Sequence, residues 1–144
     1  MNINQFFKDI HDKKREMEKA LKKYVDATED FYTLTGVKYT EMPKSKGNAL
    51  GFDDLLANIE ELHDEYLDLR KEYKSLYNCC MKYINKLDNI VHRLIIEYTY
   101  INLDDDKKIL STLSNFHNIN YSYGHLRKIK SKAVKDFKKI IDTI

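Results

Sequence analysis

Residues Leu55 to Ile90 read LLANIEELHDEYLDLRKEYKSLYNCCMKYINKLDNI. Leu55, Leu62, Leu69, Leu76, Tyr83 and Ile90 recur every seven residues, and Ile59, Tyr66, Tyr73, Cys80 and Leu87 follow the first five at four. That spacing aligns the side chains in one seam along an α-helix, and another helix has to cover such a seam. Toward the N-terminus, Ile3, Ile10, Met17, Tyr24 and Phe31 repeat at the same interval. Phe7, Leu21 and Thr28 take the second position, with Lys14 as the exception. Two long helices are therefore expected, each roughly 45–55 Å at 1.5 Å per residue.

The breakers lie between these patterns. Pro43, the only proline, and three of the four glycines (Gly36, Gly47, Gly51) fall within residues 36–51. The sequence thus predicts an all-α fold whose residues 1–87 form a long, coiled-coil-like antiparallel hairpin. Its loop is placed near residues 35–52, with Asp53 or Asp54 capping the second helix. The aromatic surface left over suits oligomerisation or partner binding. A homodimer is expected, with intramolecular pairing alone as the alternative.

Near Leu87 the pattern changes, and residues 88–144 read as a compact unit of short helices. Asp88 or Asn89 can cap a helix running to about Ile101, with Ile90, Val91, Leu94, Ile95 and Tyr98 suited to burial. Asp104, Asp105 and Asp106 lie where a helix N-terminus favours negative charge. Ile109, Leu110, Leu113 and Phe116 give that helix an inner face. After a polar break at residues 117–120, Ser122 caps a last helix. At 100° per residue, Leu126, Ile129, Ala133, Phe137 and Ile140 form its narrow apolar stripe. Arg127, Lys128, Lys132, Lys135, Lys138 and Lys139 share an arc of roughly 140° on the far side, with Gly124 and Ser131 among them. Only Lys130 flanks the stripe.

The charge distribution singles out this helix. The chain's net charge is only +2, but Tyr121 to Ile144 holds seven Lys/Arg against two Asp, a net of +5. The first 120 residues hold 18 Lys/Arg against 21 Asp/Glu, a net of −3. Such asymmetry points to a polyanionic partner for one end. A helix, a short polar turn and a basic helix together suggest a helix-turn-helix. Its second helix lies in the major groove, where N-terminal residues meet base edges. Tyr123, Gly124, Arg127, Lys128 and Ser131 would then face bases, with Tyr121, Ser122 and His125 beside them at the turn. Lys132, Lys135, Lys138 and Lys139 would meet phosphates. A solvated helix that merely closes the domain is the competing reading.

Other function classes find little support. The five histidines show no His-Glu-x-x-His pattern, and His63-Asp64-Glu65 has no second histidine at ligand spacing. KSKGNALG, residues 44–51, is not a phosphate-binding loop, and no Gly-x-Ser-x-Gly occurs. Neither catalysis, a metal nor a cofactor is expected. Cys79 and Cys80 are adjacent, have no other cysteine to pair with, and read as thiols in or near the core in a reducing compartment. MNINQFFKDIHDKK lacks the apolar run of a signal peptide, and no stretch approaches ~18 apolar residues, so a cytoplasmic location without membrane contact is expected.

Ile119-Asn120-Tyr121-Ser122 followed by Leu126, with Ile129 and Ala133 further on, resembles the phage late-transcription regulators of the RinA/ArpU/LtrC type. These end in a helix-turn-helix similar to region four of bacterial sigma factors. Asn120 stands where that family carries its turn glycine, and Glu97-Tyr98 where it carries arginine-tyrosine. YTEMPKSKGNALGFDDLLANIEEL, residues 39–62, looks like the family's linker before its long helix, so the resemblance covers about Leu34 to Phe137. It implies a sequence-specific DNA-binding activator of late genes in a bacterial host cell, with RNA polymerase as a further partner. Two alternatives stand beside it: a terminase small subunit-like DNA-recognition protein, and a helical interaction module that binds no DNA.

Overall fold

The computed structural model describes residues 1–41 and 46–144, with side chains described for 1–33 and 51–144. Six α-helices are present and, among the described residues, no strand. They are α1 (Ile3–Phe6), α2 (Lys8–Glu41), α3 (Lys46–Ile84), α4 (Ile90–Ile96), α5 (Asp106–His117) and α6 (Tyr123–Ile141). A π-helical segment, Glu97–Ile101, continues α4. The all-α expectation holds, but the long helices run further than expected. α2 continues through Gly36, and α3 already contains Gly47 and Gly51, so Asp53 and Asp54 lie inside α3 and do not cap it. An isolated glycine costs a helix about 1 kcal/mol relative to alanine, which weakens a helix without ending it. Residues 42–45, including Pro43, lie outside the described residues.

The chain forms two compact units: residues 12–74, and residues 1–11 with 75–144. In the first, α2 and α3 pair antiparallel. Lys13 Nζ lies 2.7 Å from Glu72 Oε2, the Tyr24 and His63 rings are 5.0 Å apart, and the Phe31 and Phe52 rings are also 5.0 Å apart. Partner numbers fall along α3 as they rise along α2, which fixes the direction. Ala20 is buried at this seam, whereas Leu21, expected to share it, is 38% exposed.

The second unit is larger than the 88–144 segment that its sequence suggests. The N-terminal residues and the end of α3 add Phe7, Ile10, Cys80, Ile84 and Leu87 to its core. Phe7 is fully buried, with its ring stacked on Phe137 at 5.7 Å and on Tyr100 at 5.4 Å. Phe6 meets Phe137 and Tyr83 edge-on, both at 5.5 Å. A separate cluster of Ile95, Ile109, Leu113 and Leu126 joins α4, α5 and α6. Burial pushes the Cys80 thiol up to about 11, while Cys79 is exposed, so Cys79 is the thiol placed to react.

Two expected core residues are outside. Ile90 is 66% exposed, because α3 stops at Ile84 and the chain resets its register over residues 85–89. Leu87, within that break, is buried instead. Phe116 is 79% exposed, and the returning chain seats Ile119 and Tyr121 against the cluster.

Two helix ends close in the same way. After α5, Asn118 adopts φ 55°, and the Ile119 amide donates to Leu113 O, six residues back. After the π-helical segment, Leu103 adopts φ 56°, and the Asp104 amide donates to Tyr98 O, again six back. Asparagine tolerates the left-handed region; leucine is strained there by roughly 1–2 kcal/mol. The Leu103 side chain is 59% exposed, so little burial offsets that strain. Leu103→Gly is therefore expected to raise stability by about 1 kcal/mol in chemical denaturation. An unchanged or lower midpoint would count against the strain argument.

Candidate nucleic-acid interface

The basic helix is positioned by its cap, its buried stripe and one ion pair. Ser122 is the N-cap of α6, its Oγ accepting from the His125 amide at 3.2 Å. Leu126, Ala133, Phe137 and Ile141 are buried, with Ile129 and Ile140 half-buried beside them. Lys130, the cation expected to flank the stripe, reaches back to Asp106 Oδ1 at 3.0 Å and ties α6 to α5. Asp105 caps α5 by accepting from the Lys108 amide at 2.8 Å, and Asn89 caps α4 by accepting from the Val91 amide at the same distance.

The opposite face is open. From Gly124 to Lys139, the exposed residues of α6 are Gly124, His125, Arg127, Lys128, Ser131, Lys132, Lys135, Lys138 and Lys139. No carboxylate is among them. None of the six cations has an acidic partner within 4.0 Å among the described residues. The two nearby acids have other partners, although Asp136 borders the depression that Lys128, Lys132, Lys135 and Lys139 line. Asp136 is half-buried with Oδ2 3.8 Å from His92 Nδ1, and Asp142 lies 3.4 Å from the N-terminal ammonium. A face that exists only to be solvated usually mixes both signs of charge; this one carries a single sign, which favours a polyanion.

The remaining candidate residues divide by role. Tyr121 is half-buried against the α4–α5–α6 cluster, its ring 4.5 Å from that of His125, so it shapes the turn. Ser122 is engaged in the cap. Tyr123 is half exposed at the start of α6. The turn's left-handed residue is Asn118, whereas Asn120 accepts from Ser114 Oγ at 2.8 Å.

Further exposed cations of this unit are Lys107 and Lys108 on α5, the latter 3.4 Å from Asp104 Oδ1, and Lys86 just beyond the end of α3. Their signal was weak, since each sits beside an acid in the sequence or outside the basic run. His117, read as a polar residue near the turn, has Nε2 2.9 Å from the Tyr98 hydroxyl.

Gly124 supplies a discriminating test. A Cβ built there meets nothing within 4 Å, so the protein's own packing does not require glycine. Alanine favours helix over glycine by about 1 kcal/mol. Gly124→Ala is expected to leave thermal stability equal or higher while weakening duplex binding, because the added methyl group stands between the helix and an approaching groove. Full binding by the variant would remove Gly124 from the contact surface.

Among the described residues no group of three or more His, Cys, Asp or Glu side chains is arranged to hold a metal, and no helix is long and apolar enough to cross a membrane. No family model, no curated protein and no solved structure matches the chain.

Proposed function

We propose that the protein is a sequence-specific double-stranded DNA-binding regulator that reads the major groove with α6. The supporting observation is the single-signed exposed face of α6 opposite a buried stripe. Arg127 and Lys128, near the N-terminal end, take base edges; Lys132, Lys135, Lys138 and Lys139 take phosphates. The resemblance to phage late-transcription regulators supplies the finer reading: an activator of late genes that also touches RNA polymerase. Homodimers joined through the long-helix unit would place two reading heads on neighbouring half-sites.

The test begins with selection of bound fragments from phage genomic DNA, read by sequencing. On a selected site and on random duplex, Arg127→Ala is expected to lower specific binding about 5- to 150-fold, as a lost base contact worth about 1–3 kcal/mol does, while sparing random duplex. Lys139→Ala is expected to weaken both alike. Equal losses from both substitutions would argue against these roles. Ring-sized oligomers by light scattering would favour the terminase-like alternative. Absence of a salt-sensitive duplex shift would favour an interaction module.

A further inference from the structure

Beside the basic face of α6 lies a cleft of about 470 Å³, lined by Lys86, Leu87, Asp88 and Asn89 of the α3–α4 corner, by His92, and by Lys132, Asp136, Lys139 and Ile140 of α6. It shares Lys132, Asp136 and Lys139 with a second depression along α6 that adds Lys128, Ser131 and Lys135. The two form a trough from the centre of α6 to the end of α3. We infer that Lys86 extends the DNA-contacting surface off α6, so that the α3–α4 corner holds a backbone phosphate flanking the major-groove contact. This rests on the DNA-binding reading proposed above.

Three observations carry the inference. First, the corner is tied down by hydrogen bonds and a buried side chain. The Lys86 amide donates to Tyr83 O at 3.1 Å and the Leu87 amide to Ile84 O at 3.0 Å. Leu87 is buried, and Arg93 Nε donates to its carbonyl at 2.6 Å. The Lys86 ammonium lies 4.7 Å from the centre of the Tyr83 ring, which holds its side chain to one side. A cation on a fixed backbone loses less entropy on contact than one on a mobile loop.

Second, the two acids in the cleft leave Lys86 available. Asp136 is turned toward the buried His92, and Asp88 is exposed, with neither paired to Lys86 among the described residues. Third, Lys86 joins Lys132 and Lys139 in the cleft from a different element. Lysines one or two turns apart on a single helix follow one line, whereas a cation on a neighbouring element widens the track. A phosphodiester backbone crossing the helix needs such width. The occupant this inference names is a nucleic-acid phosphate in a duplex.

The test compares wild type, Lys86→Ala, Lys86→Arg and Lys22→Ala in the full chain, Lys22 being an exposed lysine of the other unit. Affinity for a random duplex is measured across a salt series. Losing one phosphate contact makes the slope of log affinity against log salt shallower by about 1, or about 8-fold in affinity near 0.1 M salt. Lys86→Ala is expected to show that change on random and selected duplexes alike, Lys86→Arg to retain the slope, and Lys22→Ala to match wild type. Duplex DNA should also protect Lys86 from acetylation, whereas inorganic phosphate at the same phosphate concentration should not.

If wild type binds duplex with salt dependence but Lys86→Ala keeps its slope, the inference fails and the DNA-binding reading stands. If wild type binds no duplex, both fail. Equal protection by inorganic phosphate would overturn the duplex assignment in favour of a small-anion site.

Discussion

Reversing two charges on the open face of α6, Lys132→Glu together with Lys135→Glu, is expected to lower affinity for every duplex by at least about a hundredfold near 0.1 M salt. Each phosphate contact releases close to one counterion, worth about 8-fold in affinity at that concentration. Two lost contacts account for roughly 60-fold, and repulsion between the new carboxylates and phosphate adds the rest. Wild type, with four phosphate-contacting lysines on that face, is expected to lose roughly 150-fold between 50 and 200 mM salt. The variant's slope should be shallower by about 2.

Folding should not change, which makes the loss interpretable. Both side chains are exposed and neither holds an ion pair to a described acid. The carboxylate introduced at 135 stands one turn before Lys139, a favourable helical arrangement that offsets part of the repulsion between the carboxylate introduced at 132 and Asp136, each pair worth about 0.2–0.5 kcal/mol. Exposed substitutions of this kind usually fall within about 0.5 kcal/mol of wild type. Fluorescence anisotropy with a labelled duplex, alongside a thermal melt, decides the matter. Undiminished affinity with an unchanged melt would remove α6 as the DNA-contacting element.

How much of this surface was readable before the fold was known depends on the kind of signal. The α6 face was legible because one periodicity decided it: apolar residues at Leu126, Ala133 and Phe137 fix the buried side, and the cations follow by subtraction. The cap at Ser122 was legible as a short polar side chain ahead of a helical pattern; the cap of α4 was narrowed to Asp88 or Asn89, and at α5 only the favourable charge of residues 104–106 could be read, not which aspartate caps. Phe116 misled because it continues the Ile109–Leu113 spacing, yet its place against the cluster goes to Ile119 and Tyr121 from beyond the turn. No period within α5 encodes that competition.

The break after Ile84 had the same effect on Ile90, since a heptad count assumes the helix does not stop. The place of Lys86 beside Lys132 and Lys139 in one cleft was invisible because it exists only after the chain folds back. The helical ends at residues 36–51 turned on a different point: glycines lower helix stability by amounts that neighbouring turns can offset, and proline alone is a strong breaker.

The pairing of Phe6 with Phe7 was the strongest unread signal. Phe6 ends α1 and Phe7 stands between α1 and α2, and successive residues of near-helical backbone point about 100° apart, so the two rings cannot both face a single partner seam. Phe7 followed the seven-residue pattern and was assigned to the hairpin, but its ring stacks on Phe137 of α6 and on Tyr100 of the π-helical segment. The start of the chain is thus part of the floor on which the basic helix rests. Phe7→Ala should destabilise this unit by about 3–5 kcal/mol, the usual cost of emptying a buried phenylalanine site. Collapse around the gap is restricted, because Phe6 is already committed to Phe137 and Tyr83, and Ile10 is itself buried. Domains are typically stable by only 5–15 kcal/mol, so the loss should be plain in chemical denaturation followed by circular dichroism. Because Phe7 lies opposite the exposed basic side of α6, the proposed duplex binding of the fraction still folded should be unchanged, which separates support from contact. A loss below about 1 kcal/mol would mean that the N-terminal segment only decorates the unit. Reduced affinity in fully folded protein would mean that Phe7 sets the position of α6 as well as its stability.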